Sequence, residues 1–168
     1  MFNANLIVLS YHKFVEQESD YRFSRTYEQF GHDISKKVYD WITIDDGMSC
    51  MIKACDMLTY CNIRAKLFIC TSLVGQSGYC TWDELRALSK YHDIENHGHV
   101  HEWHSKLSTA EVQASISTAN SLIKQEIHRQ PRYFVPPYND HDRRVQSICN
   151  KLDLVLIKNR QTILNISK

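Results

Sequence analysis

Charge of one sign is missing from this chain. Its 20 Lys and Arg stand against 19 Asp and Glu, a formal net charge of +1 over 168 residues. That balance excludes the broad basic footprint of a nucleic-acid-binding protein and the acidic run of an interaction tail. Long hydrophobic runs are missing too, so no segment reads as a membrane span. The apolar run 6–9 is too short for a secretory leader, and no basic residue precedes it. None of the six cysteines, at positions 50, 55, 61, 70, 80 and 149, forms a Cys-x-x-Cys pair. A zinc knuckle or redox motif is therefore not expected, and free, mostly buried thiols in a reducing cytoplasm are. Internal repeats, low-complexity tracts and linkers are also lacking, which predicts one domain over residues 1–168.

What is present is a 43% apolar composition, enough for a globular core, and an unusual number of histidines. Of nine, five lie between His92 and His104. Apolar, β-branched runs bounded by turn residues predict strands at 6–11, 39–44, 65–71, 94–96, 133–135 and 154–157. Helices are predicted between them. Met51, Ile52, Cys55 and Leu58 have helical spacing within 49–61. Thr81 is a suitable N-cap for 82–91. Ser108 and Glu111 form a capping-box pattern opening 108–126, and 142–152 is amphipathic. Alternating strands and helices imply an α/β fold with a parallel sheet. The units are too few for eight strands, so an incomplete or distorted (β/α) barrel is expected. In such folds, chemistry gathers at the carboxyl ends of the strands.

Four predicted strand ends carry reactive side chains. The second runs into Asp45-Asp46-Gly47. Adjacent carboxylates repel, and a divalent cation would offset the cost; alternatively one caps the next helix while the other stays solvated. The fourth runs into His97-Gly98-His99-Val100-His101. Imidazole is a leading transition-metal ligand, and Gly98 permits a sharp turn. The fifth ends in Pro136-Pro137-Tyr138, a stiff exit that fixes Tyr138. The first ends in Tyr11-His12, a polar surface histidine unless the other ends converge beside it. Together they suit metal-assisted attack of water on a carbonyl.

These motifs, in this order, resemble the polysaccharide deacetylases with a NodB-homology domain, the family-four carbohydrate esterases. The likeness runs from about His12 to Leu152. It rests on Thr43-Ile44-Asp45-Asp46-Gly47, Ala65-Lys66-Leu67-Phe68-Ile69, Thr81-Trp82-Asp83-Glu84-Leu85, Glu95-Asn96-His97 through His101, and Pro137-Tyr138. The resemblance implies Asp46, His97 and His101 as ligands of one divalent ion, zinc before nickel or cobalt. It implies Asp45 as general base and the Tyr138 backbone N–H as an oxyanion donor. The substrate would be an N-acetylated glycan or a sugar precursor. Two departures stand out. Val135 occupies the place where the family often has an arginine beside the base, and no histidine follows His141. The biofilm poly-N-acetylglucosamine deacetylases, a circularly permuted subgroup, place their acid histidine early in a Tyr-His context. Leu9-Ser10-Tyr11-His12 is similar, which implies His12 as general acid, with His99 and His104 as rivals. A non-catalytic glycan-binding relative and a small-molecule amidase are the alternative readings.

Overall fold

The computed structural model describes residues 7–19 and 21–158. The chain runs β1 (Val8–Tyr11), β2 (Lys13–Val15), β3 (Ser24–Thr26), α1 (Tyr27–Ser35), β4 (Trp41–Asp46), α2 (Met51–Tyr60) and β5 (Lys66–Ile69). It continues through α3 (Trp82–Leu88), β6 (Asp93–Asn96), α4 (Thr109–Ile127), β7 (Tyr133–Phe134), α5 (Arg143–Lys151) and β8 (Val155–Leu156). One sheet has the order β1-β4-β5-β6-β7-β8, with every neighbouring pair parallel. It curls into a half-barrel, so the incomplete α/β barrel expected from the sequence is what forms. Parallel strands need long crossovers, and helices supply them.

Strand alternation sorts the side chains. On the outer face, Leu9, Ile42, Ile44, Leu67, Ile69 and Ile94 pack against Phe30, Leu58 and Leu85. Phe134 and Leu156 meet Val112, Ile116, Val145 and Ile148 of α4 and α5. Each such burial contributes about 1.5–3 kcal/mol. Intervening residues face the concave side, where Phe68, Val135 and Ile157 pack with Trp41 and Tyr133. Because all six strands point the same way, their carboxyl ends share one rim. Among the described residues, no helix is long and apolar enough to cross a membrane. All six cysteines are free thiols.

Several boundaries differ from expectation. The first residue of the first predicted strand, Leu6, lies outside the described residues. The strand expected at 39–44 begins at Trp41 and runs through both aspartates to Asp46. Asp40 instead uses its carboxylate to accept the Ile7 N–H at 2.8 Å. Residues 12–38 carried no predicted element, yet they hold β2, β3 and α1. Helix α1 escaped notice because Gly31 interrupts it and its buried apolar residues are only Phe30 and Ile34. A signal existed. Thr26 and Gln29 form a reciprocal capping box, each side chain accepting the other's backbone N–H at 3.1 Å.

Glu95 ties β6 to β7. Its Oε2 accepts the N–H groups of Arg132 at 2.7 Å and Tyr133 at 2.8 Å. Burial pushes the carboxyl up from 4.5 to about 6, although those two N–H groups pull it down. A folded pKa above the unfolded one makes a contribution to stability that is full below about pH 4.5 and lost as pH rises through about 6. The rise corresponds to about 2 kcal/mol. Glu95→Gln should therefore lose about 2 kcal/mol less than wild type between about pH 4 and about pH 8, read from urea unfolding. Parallel pH profiles for the two proteins would refute this.

Candidate active site

Strand β4 delivers two carboxylates to the rim in different directions. Asp45 continues the concave-face alternation of Trp41 and Thr43 and is fully buried. Asp46 breaks it, with φ at +72°, a region that Asp tolerates better than most residues and that clusters at functional sites. Gly47 completes the turn at φ +87°, and a Cβ there would stand 3.3 Å from Ile69 Cδ1. The aspartates thus diverge despite being neighbours.

His97 follows β6, and its imidazole is oriented from behind. Nδ1 lies 2.7 Å from the Val135 carbonyl oxygen. A carbonyl can only accept, so Nδ1 carries a proton, and Nε2 is the nitrogen that faces the site. That Nε2 stands 3.2 Å from Asp46 Oδ1, and His101 Nε2 stands 3.1 Å from the same oxygen. The chain between the two histidines is bound to α4. Buried Asn96 donates to the Ile116 carbonyl at 2.9 Å and to Asn120 Oδ1 at 2.8 Å, and accepts the Gly98 N–H at 2.7 Å. Ser115 Oγ accepts the N–H groups of His99 and Val100 at 3.0 and 3.2 Å. A Cβ on Gly98, whose φ is +84°, would approach Ser115 Oγ to 3.2 Å.

These donors fit a cation. Asp46 Oδ1 is buried and receives no well-aligned hydrogen bond. The three ligand atoms lie within 4.8 Å of one another. A tetrahedral ion with bonds of about 2.0–2.1 Å has donor–donor edges of about 3.3 Å, close to the two contacts observed. Burial alone would raise the Asp46 carboxyl, but His101 and His97 outweigh it and hold it well below the usual carboxylate range. Burial alone would lower His101, and Asp46 in turn raises it above the ordinary imidazole value.

The remaining predicted residues fall as follows. The pairing of Tyr11 with Ile44 sets His12 across from Asp45, and His12 Nε2 lies 3.6 Å from Asp45 Oδ2. The His12 ring also meets Phe23 at 5.2 Å. Tyr138, at φ +57°, presents a half-exposed ring edge-on to His101 at 4.7 Å. It stacks flat on exposed Trp103 at 4.4 Å. Val135 buries its side chain against Phe68 and Ile157 and offers only its carbonyl to His97. His99 turns away, with Nδ1 2.9 Å from Thr71 Oγ1. His104 lies fully buried and flat against Phe134, and burial pushes it down to about 4. Sequence reasoning named Asn96 only as part of a motif, without a role, and missed Ser115 and Asn120. The last two are polar residues on the buried stripe of α4, beside Val112, Ile116 and Ile123, and that anomaly was a usable signal.

The family model described as polysaccharide deacetylase matches residues 32–157. A chitin deacetylase of Amylomyces rouxii is 32% identical over 129 residues, covering 74% of this chain and 30% of its own length. The chain therefore spans less than a third of that curated relative. IcaB from Ammonifex degensii has the same fold, with a TM-score of 0.79 at 17% identity, covering 95% of this chain and 86% of that one. The Streptococcus pyogenes deacetylase PplD, solved with acetate, gives 0.77 at 13% identity, covering 88% and 80%.

Proposed function

The chain belongs to the polysaccharide deacetylase family, and from that premise we propose that it removes acetyl groups from the N-acetylated sugar units of a glycan or its precursor. The observation that carries this reading is the convergence of Asp46, His97 and His101 on one point, with Asp45 and His12 beside it on the same rim. The chitin deacetylase relative supports an N-acetylated glucosamine unit as substrate. Asp46, His97 and His101 hold one divalent ion, zinc first, with nickel or cobalt as substitutes for the same donors. When bound, such an ion supplies Lewis acidity to a carbonyl oxygen and acidity to a water.

The chain's own residues do the rest. Asp45 accepts a proton from the attacking water, whose oxygen bonds to the acetyl carbon. The Tyr138 backbone N–H donates to the oxygen that gains negative charge. The carbon–nitrogen bond then breaks as His12 passes a proton to the departing nitrogen, leaving acetate and a free amine. Retention of Asp45 beside Asp46 favours catalysis over glycan binding alone, because holding the ion requires only Asp46.

The test is acetate release from N-acetylglucosamine oligomers by protein of measured metal content, before and after chelation. Activity should vanish with the metal and return when zinc is restored. Undiminished acetate release from fully metal-stripped protein would overturn the reading.

A further inference from the structure

Before β4 the chain contains a buried ion pair that the catalytic scheme above does not use. Asp33 of α1 and Arg25 of β3 make a two-pronged contact. Arg25 Nε donates to Oδ2 at 2.9 Å and Nη2 to Oδ1 at 2.8 Å. The Tyr11 hydroxyl donates to the same Oδ2 at 3.2 Å. The Asp33 side chain is 2% exposed and that of Arg25 17%. Tyr11 is itself locked, edge-on to Phe30 at 4.9 Å and stacked on Phe14 at 5.8 Å.

His12 lies between two anchors of this network. On one side is Tyr11, bound to Asp33 through its hydroxyl. On the other is Lys13, whose N–H donates to the Phe23 carbonyl at 3.3 Å and which opens the β2–β3 pairing. Phe23 packs on the His12 ring, and Arg25 lies two residues further along. Alternation sends Tyr11 to the helix side and His12 to the concave side, so fixing the first aims the second.

We propose that Arg25, Asp33 and Tyr11 are positioning residues that hold His12 in register with Asp45 for proton delivery to the departing nitrogen. A buried ion pair adds little net stability over apolar residues of the same size. What it adds is direction, since a planar fork fixes its carboxylate in two dimensions. Here that carboxylate joins Tyr11, the last residue of β1 and the neighbour of His12, to Arg25 of β3 and to α1.

The inference rests on the reading of His12 as the acid, and two acetyl donors separate the two ideas. An N-acetylglucosamine oligomer needs a proton on its leaving amine. 4-Nitrophenyl acetate expels a phenolate that needs none. His12→Ala should lower oligomer turnover by about 10²–10⁴-fold and cost the ester far less. Arg25→Lys keeps the charge and loses the fork. It should lower oligomer kcat about ten- to a hundredfold, with ester hydrolysis within about twofold and metal content unchanged. Tyr11→Phe removes only a hydroxyl, keeps the ring packing, and should lower oligomer kcat about threefold or more on the same selective pattern. If Arg25→Lys fails to fold, Tyr11→Phe decides alone. Equal losses on both donors, or none on either, from these two variants would overturn the positioning role while leaving His12 intact. The same result from His12→Ala would instead overturn the acid assignment. A wild type inactive on both donors would overturn the deacetylase reading and this inference with it.

Discussion

Asp45→Asn is expected to cut acetate release by about 10²–10⁴-fold while leaving the metal in place. Asp45 is fully buried on the concave face, and the ion-binding set is complete without it. Asn is nearly isosteric and leaves packing undisturbed, but its amide cannot take up a proton from water. The loss should appear in kcat, because the missing step is proton transfer. Metal content by elemental analysis and kcat on N-acetylglucosamine oligomers check both halves. Turnover at the wild-type rate would remove Asp45 as base. Loss of metal together with turnover would mean that Asp45 is a ligand.

Asp46→Asn should do the opposite and weaken metal binding by more than about 100-fold. Removing a residue that merely orients a ligand typically costs about 10–100-fold in affinity, and Asp46 supplies both a donor atom and the charge shared by two imidazoles. The pH dependence has a definite sign. A protonated imidazole cannot bind a cation, and Asp46 raises His101 above 6.5 in the metal-free protein. Wild-type affinity should therefore begin to fall, as pH drops, while the pH is still above the ordinary imidazole value. In Asp46→Asn, the charge that raises His101 is gone, so the onset of that fall moves to lower pH. Zinc titrations at several pH values read both effects. Unchanged affinity would exclude Asp46 from the ligand set.

How much of this was legible in the sequence depended on how local each feature is. Asp45-Asp46-Gly47 and His97 to His101 are short, and each lies where an apolar run stops. Their placement on one rim followed from the parallel topology alone. The capping boxes at Thr81 and Ser108 were equally readable, since cap and partner are three residues apart. The Thr26 box was readable in the same way, but the short helix behind it, interrupted by Gly31, lacks a clear apolar stripe.

The sequence by itself determined the chemistry available and the rim on which it sits, because strand alternation and crossover direction are set by local stereochemistry. Only the tertiary structure decided which donors meet. The proton on His97 is set by the carbonyl of Val135, 38 residues away. The turn between the histidines is held by Asn96 against Ile116 and Asn120, 20 and 24 residues away. Tyr11, Arg25 and Asp33 become one unit only after α1 folds back against β1. His12 reaches Asp45 through strand register, which no spacing along the chain encodes. Each of these contacts is a hydrogen bond or charge contact between groups distant in sequence. Its partner is selected by the geometry of the packed half-barrel, and a linear pattern carries no record of that.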